Sequence, residues 1–176
     1  MKNFEFEHEG QKLWYSRSVV VSLYLYTRDE KGALRILANR RGHLNEVSPD
    51  YWNVPGGYLD FDENDLECAE RECFEETGVK VNLTRPNESD YCTSLLHHVD
   101  TNPTGHQNVT IVLTSFIPWN IAKQYTLTNA HAEPNEVDEV AWLRMDEVNN
   151  KSWIRNQLTY IQSTRQIIRD MFPDNL

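Results

Sequence analysis

Apolar and polar positions along this chain change period several times, and the changes mark its elements. Phe4 and Phe6 alternate with Glu5 and Glu7, Glu9-Gly10 interrupts, and residues 12–15 resume the alternation. That pattern predicts an N-terminal β-hairpin over about residues 1–16. Residues 18–27 (SVVVSLYLYT) are β-branched and aromatic, the mark of a buried strand. Residues 33–39 read as its partner across a polar turn, and residues 41–50 as a loop. Farther on, residues 79–83 read as short and extended, and residues 91–99, 107–117 and 139–143 as strands. Residues 118–135 read as a long loop with two prolines, and residues 145–148 as a turn or short helix. The period then becomes helical over residues 152–172, where Ile154, Leu158, Ile161, Ile168 and Phe172 form an apolar stripe broken only by Arg165. Mixed strands with two main helices predict an α/β fold, an α/β/α sandwich in one domain over residues 1–176.

The other helix is predicted just past Pro55-Gly56-Gly57, a turn that leaves backbone open to close approach. Asn64 or Asp65 serves as its N-cap, and Glu67 lies in an acidic first turn. Leu66, Ala69 and Cys73 recur at i, i+3 and i+7, Glu67 and Arg71 form an i, i+4 pair, and Gly78 supplies the stop. Glu72, Glu75 and Glu76 stand at i, i+3 and i+4, so their carboxylates share one face. Like charges at that spacing cost roughly 0.2–0.5 kcal/mol per pair. A chain tolerates this when something cationic fills the gap, and hard cations such as Mg²⁺ prefer oxygen ligands.

Residues 57–79, GYLDFDENDLECAERECFEETGV, resemble the Nudix box, G-x5-E-x7-R-E-U-x-E-E-x-G-U with U bulky and apolar. Gly57, Glu63, Arg71, Glu72, Glu75, Glu76 and Gly78 match all its fixed positions. At a usage of roughly 7% per residue, a chance match in the chain is on the order of 10⁻⁶. One U position holds Cys73, which packs as a small hydrophobe. The resemblance implies a mixed sheet with the box helix on one face and the C-terminal helix on the other. It also implies hydrolysis of a nucleoside diphosphate linked to another moiety, by water attack at phosphorus with Mg²⁺ or Mn²⁺. Carried over by position, Glu75 and Glu76 are the principal metal ligands, and Glu72 is a third ligand or the base. The Gly56 carbonyl is a further ligand, Arg71 orients the glutamates, and Glu63 supports Arg71 or an outer metal.

Composition narrows the partners. A formal net charge of −10 on 176 residues argues against general nucleic-acid binding. A small phosphorylated substrate remains compatible if a metal supplies positive charge. No stretch approaches the roughly 20 apolar residues of a membrane span, and the first residues show no apolar leader. Cys68 and Cys73, five apart on one helix, are expected to point to different faces and not to bridge. With Cys92 they fit a reducing compartment, so a cytoplasmic protein is expected.

Outside the box, Glu136 is the choice for an additional ligand or base, with a solvated loop charge as the alternative. Arg40 and Arg41 are candidates for holding substrate phosphates, against a plain surface pair. Tyr58 is a candidate for stacking on a base, whereas Trp52 suits a core position. The favoured substrate is nucleotide-sugar or ADP-ribose-like. A nucleoside triphosphate pyrophosphohydrolase comes second, and a non-catalytic nucleotide sensor is the rival class. The C-terminal helix packs on its own sheet or serves a homodimer.

Overall fold

The computed structural model describes residues 3–83, 93–101 and 108–171. In chain order the elements are β1 (Phe4–His8), β2 (Gln11–Tyr15), β3 (Val19–Arg28), β4 (Leu34–Arg41), β5 (Trp52–Asn53), β6 (Gly56–Tyr58) and α1 (Asp65–Thr77). Then follow β7 (Thr93–Asp100), β8 (Val109–Phe116), the short α2 (Trp119–Ala122), β9 (Val137–Arg144), a 3₁₀ turn (Val148–Asn150) and α3 (Gln157–Met171).

β3 organises the main sheet. β8 runs parallel to it along residues 19–26, and β7 is antiparallel on the outside of β8. The opposite edge of β3 meets β4 only at residues 26–28, after which the two strands diverge. β9 lies antiparallel along the far edge of β4. The gap between β3 and β4 is filled by the 52–58 segment, with β5 paired to β4 and β6 to β3. This insertion places the Gly-rich turn inside the sheet rather than above it.

Alternation along β3 assigns the layers. Val21, Leu23 and Leu25 point to one face, where they pack with Cys68, Ala69 and Cys73 of α1. Tyr24 and Tyr26 point to the other, where they pack with Ile161 and Ile168 of α3. Both faces are covered, which is why β3 reads as a continuous apolar run. The expected sandwich, with the box helix and the C-terminal helix on opposite faces, is therefore the observed one. Trp52 is buried in the α3-side core, as its sequence context suggested.

Helix α1 is fixed at both ends. Asn64 Oδ1 accepts from the Leu66 and Glu67 amides at 3.0 and 3.1 Å, while Glu67 Oε2 accepts from the Asn64 amide at 2.9 Å. This reciprocal capping box satisfies donors that the first turn leaves open. Gly78 ends the helix at φ +75°, with its N–H on Phe74 O at 2.8 Å. Cys68 and Cys73 do not bridge each other: they stand roughly 140° apart around the helix, and both are buried in the core beneath it. The sheet and the 122–127 region enclose a wide arc of the helix, so both thiols are covered.

The C-terminal helix begins later than its periodicity suggested. Residues 152–154 are extended and pair with Trp52: the Trp52 amide donates to Ser152 O at 2.7 Å, and the Ile154 amide to Trp52 O at 3.0 Å. Arg155 then takes φ +46°, which breaks any continuous helix. Ile154 is thus not part of the helical stripe, and Phe172 lies outside the described residues. The buried stripe is Gln157, Ile161, Thr164 and Ile168. Its polar members are paired: Thr164 Oγ1 lies 2.7 Å from Tyr26 Oη, and the Val54 amide donates to Gln157 Oε1 at 3.0 Å.

The N-terminal hairpin forms as a separate two-stranded sheet turning at Glu9-Gly10, both at positive φ. The 118–135 loop contains α2, an element its prolines concealed. Among the described residues no helix is long and apolar enough to cross a membrane.

Candidate active site

The site is built where α1 faces the inserted 52–58 segment. The bonds Leu23 N to Pro55 O (2.8 Å) and Leu59 N to Val19 O (3.1 Å) set an alternating register that pairs Gly57 with Val21. Gly56 falls out of phase, so its N–H turns away from β3 and donates to Glu76 Oε2 at 3.0 Å. Its carbonyl leaves the strand on that same edge. A Cβ at Gly57 would lie 2.1 Å from Glu72 Oε1, so any side chain there would displace the Glu72 carboxylate.

Glu76 is buried, and its Oε2 also accepts from Asn39 Nδ2 at 2.9 Å. Burial, then repulsion from Glu72, holds its pKa well above the usual carboxylate value. Glu72 is nearly as buried, and burial raises its pKa as well, against the opposing pull of Arg71. Glu136 is close enough to both to raise their proton affinity. Its carbonyl accepts from the Gly42 amide at 2.9 Å, and its side chain from the Glu133 amide at 3.1 Å. The structure thus brings Glu72, Glu76 and Glu136 to one place, although Glu136 comes from a loop far along the chain.

Arg71 joins the rest of the box. Its Nε and Nη2 hold Glu63 at 3.0 and 2.7 Å, and its Nη1 reaches Glu72 at 2.7 Å and Glu75 at 3.1 Å. It also donates to Tyr58 O at 3.2 Å, tying the helix to the Gly loop. Glu63, paired two-point to this cation, has its pKa lowered to about 2. Glu75 is the most exposed of the three clustered glutamates, with 43% of its side chain accessible.

The donor set suits a hard divalent cation. Two buried carboxylates face each other with a third nearby, and the Arg71 guanidinium reaches Glu72 but makes no hydrogen bond to Glu76. Asn39 Oδ1, beside Glu76, is buried with no hydrogen-bond partner among the described residues. Among the described residues no three His, Cys, Asp or Glu side chains already close around one point at ligand spacing. Arg71 holds Glu72 and Glu75 instead.

On the α3 side of the same Gly loop lies a cleft of about 320 Å³, lined by Arg41, Gly57, Tyr58, Thr110, Gln157 and Tyr160 among others. Its size is that of a small-molecule site. Tyr58 is 54% exposed at its mouth. Arg41 lines the cleft with its side chain braced on Val47 O and Asn45 Oδ1. Arg40 does not: it is drawn into an exposed network with Asp50, Asp138 and Glu139.

Four cleft and site residues escaped the sequence reading. Asn39 sits inside an apolar strand, where a lone buried amide was its signal. Asp100 and Tyr160 come from distant elements and meet at 2.8 Å, the phenol donating to Oδ2. Burial and the Asp100 carboxylate push the Tyr160 pKa up to about 12, so it remains a donor near neutral pH. Arg155 also lines the cleft, and a non-glycine residue at φ +46° is a feature no sequence pattern exposes.

A mixed sheet between two helices, with a Gly-Gly segment wedged into the sheet against a glutamate-rich helix face, defines the class of α/β/α folds organised around a box helix. The NUDIX domain family matches residues 16–163, and the chain belongs to that family. A relative from Danio rerio, m7GpppN-mRNA hydrolase NUDT17, is 28% identical over 139 residues, covering 74% of this chain and 42% of its own. The chain spans less than half the length of the curated relatives it matches. A mutT/nudix family protein from Listeria innocua has a TM-score of 0.66 at 19% identity, covering 90% of this chain and 98% of its own. The NUDIX domain of Shewanella oneidensis NrtR, complexed with ADP ribose, has a TM-score of 0.62 at 17% identity, covering 88% and 90%. At these identities the structural likeness concerns the fold.

Proposed function

We propose that this chain is a metal-dependent pyrophosphohydrolase that cleaves a nucleoside diphosphate linked to another moiety, with a nucleotide-sugar or ADP-ribose-like compound as substrate. The observation that carries the reading is the pair of buried, mutually repelling carboxylates, Glu72 and Glu76, set against the Gly56-Gly57 backbone at the edge of a ligand-sized cleft. Among the described residues Glu76 has no balancing cation, a costly state for a buried carboxylate, and such arrangements concentrate at functional sites.

Glu72, Glu75, Glu76 and the Gly56 carbonyl would hold Mg²⁺ or Mn²⁺. The bound metal neutralises charge on the diphosphate and makes a water more acidic. Arg71 keeps the glutamates oriented through its bonds to Glu63, Glu72 and Glu75. Glu72 and Glu136 are the two groups placed to take a proton from the attacking water. The raised proton affinity of Glu72 suits that task, since a base works best with a pKa nearer the working pH. In the cleft, Arg41 and Arg155 offer charge-assisted donors to phosphate, Tyr58 offers a ring face, and the Asp100–Tyr160 pair offers polar groups to a nucleoside. ADP ribose and m7GpppN-mRNA, the ligands in the relatives' names, share a nucleoside on a phosphoanhydride. The net charge of −10 favours a small ligand over an RNA body.

The test is a screen of nucleoside diphosphate derivatives and nucleoside triphosphates with Mg²⁺ or Mn²⁺, in ¹⁸O-labelled water, with products identified by mass. ADP-ribose-like substrates should give two monophosphates, one labelled, at a rate that rises toward alkaline pH. A triphosphate giving monophosphate and pyrophosphate would move the assignment to the triphosphate class. Nucleotide binding with no product under either metal would replace the hydrolase reading with a sensor.

A further inference from the structure

A second cleft, of about 560 Å³, lies at the opposite end of the sheet. It is lined by Arg28 at the end of β3, Arg144 at the end of β9, and Arg165 and Arg169 on α3. Among the described residues Asp146 is the single acidic residue in its lining, beside these four guanidinium groups. In a chain of net charge −10, that convergence of positive charge runs against the overall balance. Arg28 is seven residues along β3 from Val21, the partner of Gly57, which places the cleft roughly 23 Å from the Gly loop.

The arginines differ in how they are neutralised. Arg144 is paired with Asp146, Nε to Oδ1 at 3.1 Å and Nη2 to Oδ2 at 3.0 Å. Arg28 Nη1 donates to Gly32 O at 3.2 Å. Arg165 and Arg169, at i and i+4, repel one another along α3. Among the described residues the Nε of Arg165 is buried with no hydrogen-bond partner. An anion in the cleft would relieve the repulsion between the two guanidinium groups. Guanidinium groups match phosphate oxygens in planar, two-point geometry.

We infer that this cleft is an anion site for a small polyphosphorylated ligand, separate from the active site and independent of metal. Its volume exceeds that of a single tetrahedral anion, and its four cations suit two or more phosphoryl groups. The inference stands apart from the hydrolase reading, because Arg165 and Arg169 line this cleft and not the one beside the Gly loop.

The experiment is calorimetric titration of inorganic tripolyphosphate into the full chain, freed of divalent metal on a chelating resin. Wild type should bind saturably at one site, with a rise in melting temperature. E76Q, altered in the other site, should bind as wild type does. R169Q should weaken binding about tenfold, the loss of one charge-assisted contact. R165Q/R169Q should abolish it while retaining any metal-dependent hydrolysis. Arg169 is exposed, so R169Q tests the site even if the double variant misfolds. Absence of saturable binding to wild type, or unchanged affinity in R169Q, overturns the inference, whatever the outcome for hydrolysis.

Discussion

Replacing Glu63 by glutamine removes one charge from the box while keeping the side chain's shape, and the structure sets the size of the effect. Glu63 accepts both Nε and Nη2 of Arg71 and also the Asp60 amide at 3.0 Å. Its pKa falls from 4.5 to about 2, chiefly through the hydrogen bonds from Arg71. Taken at face value, that fall corresponds to roughly 3 kcal/mol of stability at pH 7. The Arg71 side chain is 30% exposed and Glu63 13%, so solvent screening reduces the expectation to about 1–2 kcal/mol. For a chain of this size that is a fall in melting temperature of about 2–8 °C. The sign with pH follows from the direction of the shift. A lowered carboxylate pKa stabilises the fold above 4.5, and the benefit is lost as pH falls from 4.5 through about 2. Urea denaturation of wild type and E63Q at pH 7 and pH 3 should therefore show a stability gap that shrinks by about half or more at the lower pH. A gap of equal size at both pH values, or none at pH 7, would refute the ion-pair account of Glu63.

E76Q should lower metal-dependent turnover by orders of magnitude while circular dichroism stays native, because glutamine can still accept from Asn39 and Gly56; near-wild-type rates would sink the ligand assignment. Since burial holds Glu76 well above 4.5, metal-free wild type should lose stability as pH rises from 4.5 toward its folded value, and E76Q should lose less over that window. Stripping divalent metal should abolish hydrolysis with only a modest fall in melting temperature, as the two apolar cores contain no carboxylate; outright unfolding on chelation would make the metal structural. Y160F should raise KM more than it lowers kcat, because Tyr160 lines the cleft and bonds Asp100 away from the glutamates; an unchanged KM would remove the pair from substrate recognition.

Local pattern determined much of this protein. Asn64, Glu67 and Gly78 fix the ends of α1 through bonds within a few residues, so the helix was legible from its own stretch. The Glu63–Arg71 pair was implied by the box resemblance and not by helical spacing; Glu67, the i, i+4 partner that spacing offered Arg71, caps the helix instead. The unbroken apolar run of β3 marked a strand buried on both faces, because a sheet covered on each side selects apolar residues at successive positions. Only the tertiary structure decided the start of α3, where pairing with Trp52 outweighs helical periodicity across residues 152–156. The same holds for the divergence of β3 and β4, which admits Gly56 and Gly57 into the sheet and buries Glu72 and Glu76 beside them. The fates of Arg40 and Arg41 were equally out of reach, since adjacent residues on a strand face opposite ways and meet whatever distant loops supply: acids for one, the cleft for the other. Asn39, Asp100 and Tyr160, and the four arginines of the far cleft, belong to this second kind. Their chemistry arises from charges and hydrogen bonds between segments far apart in sequence, and such contacts leave no periodic trace in the chain.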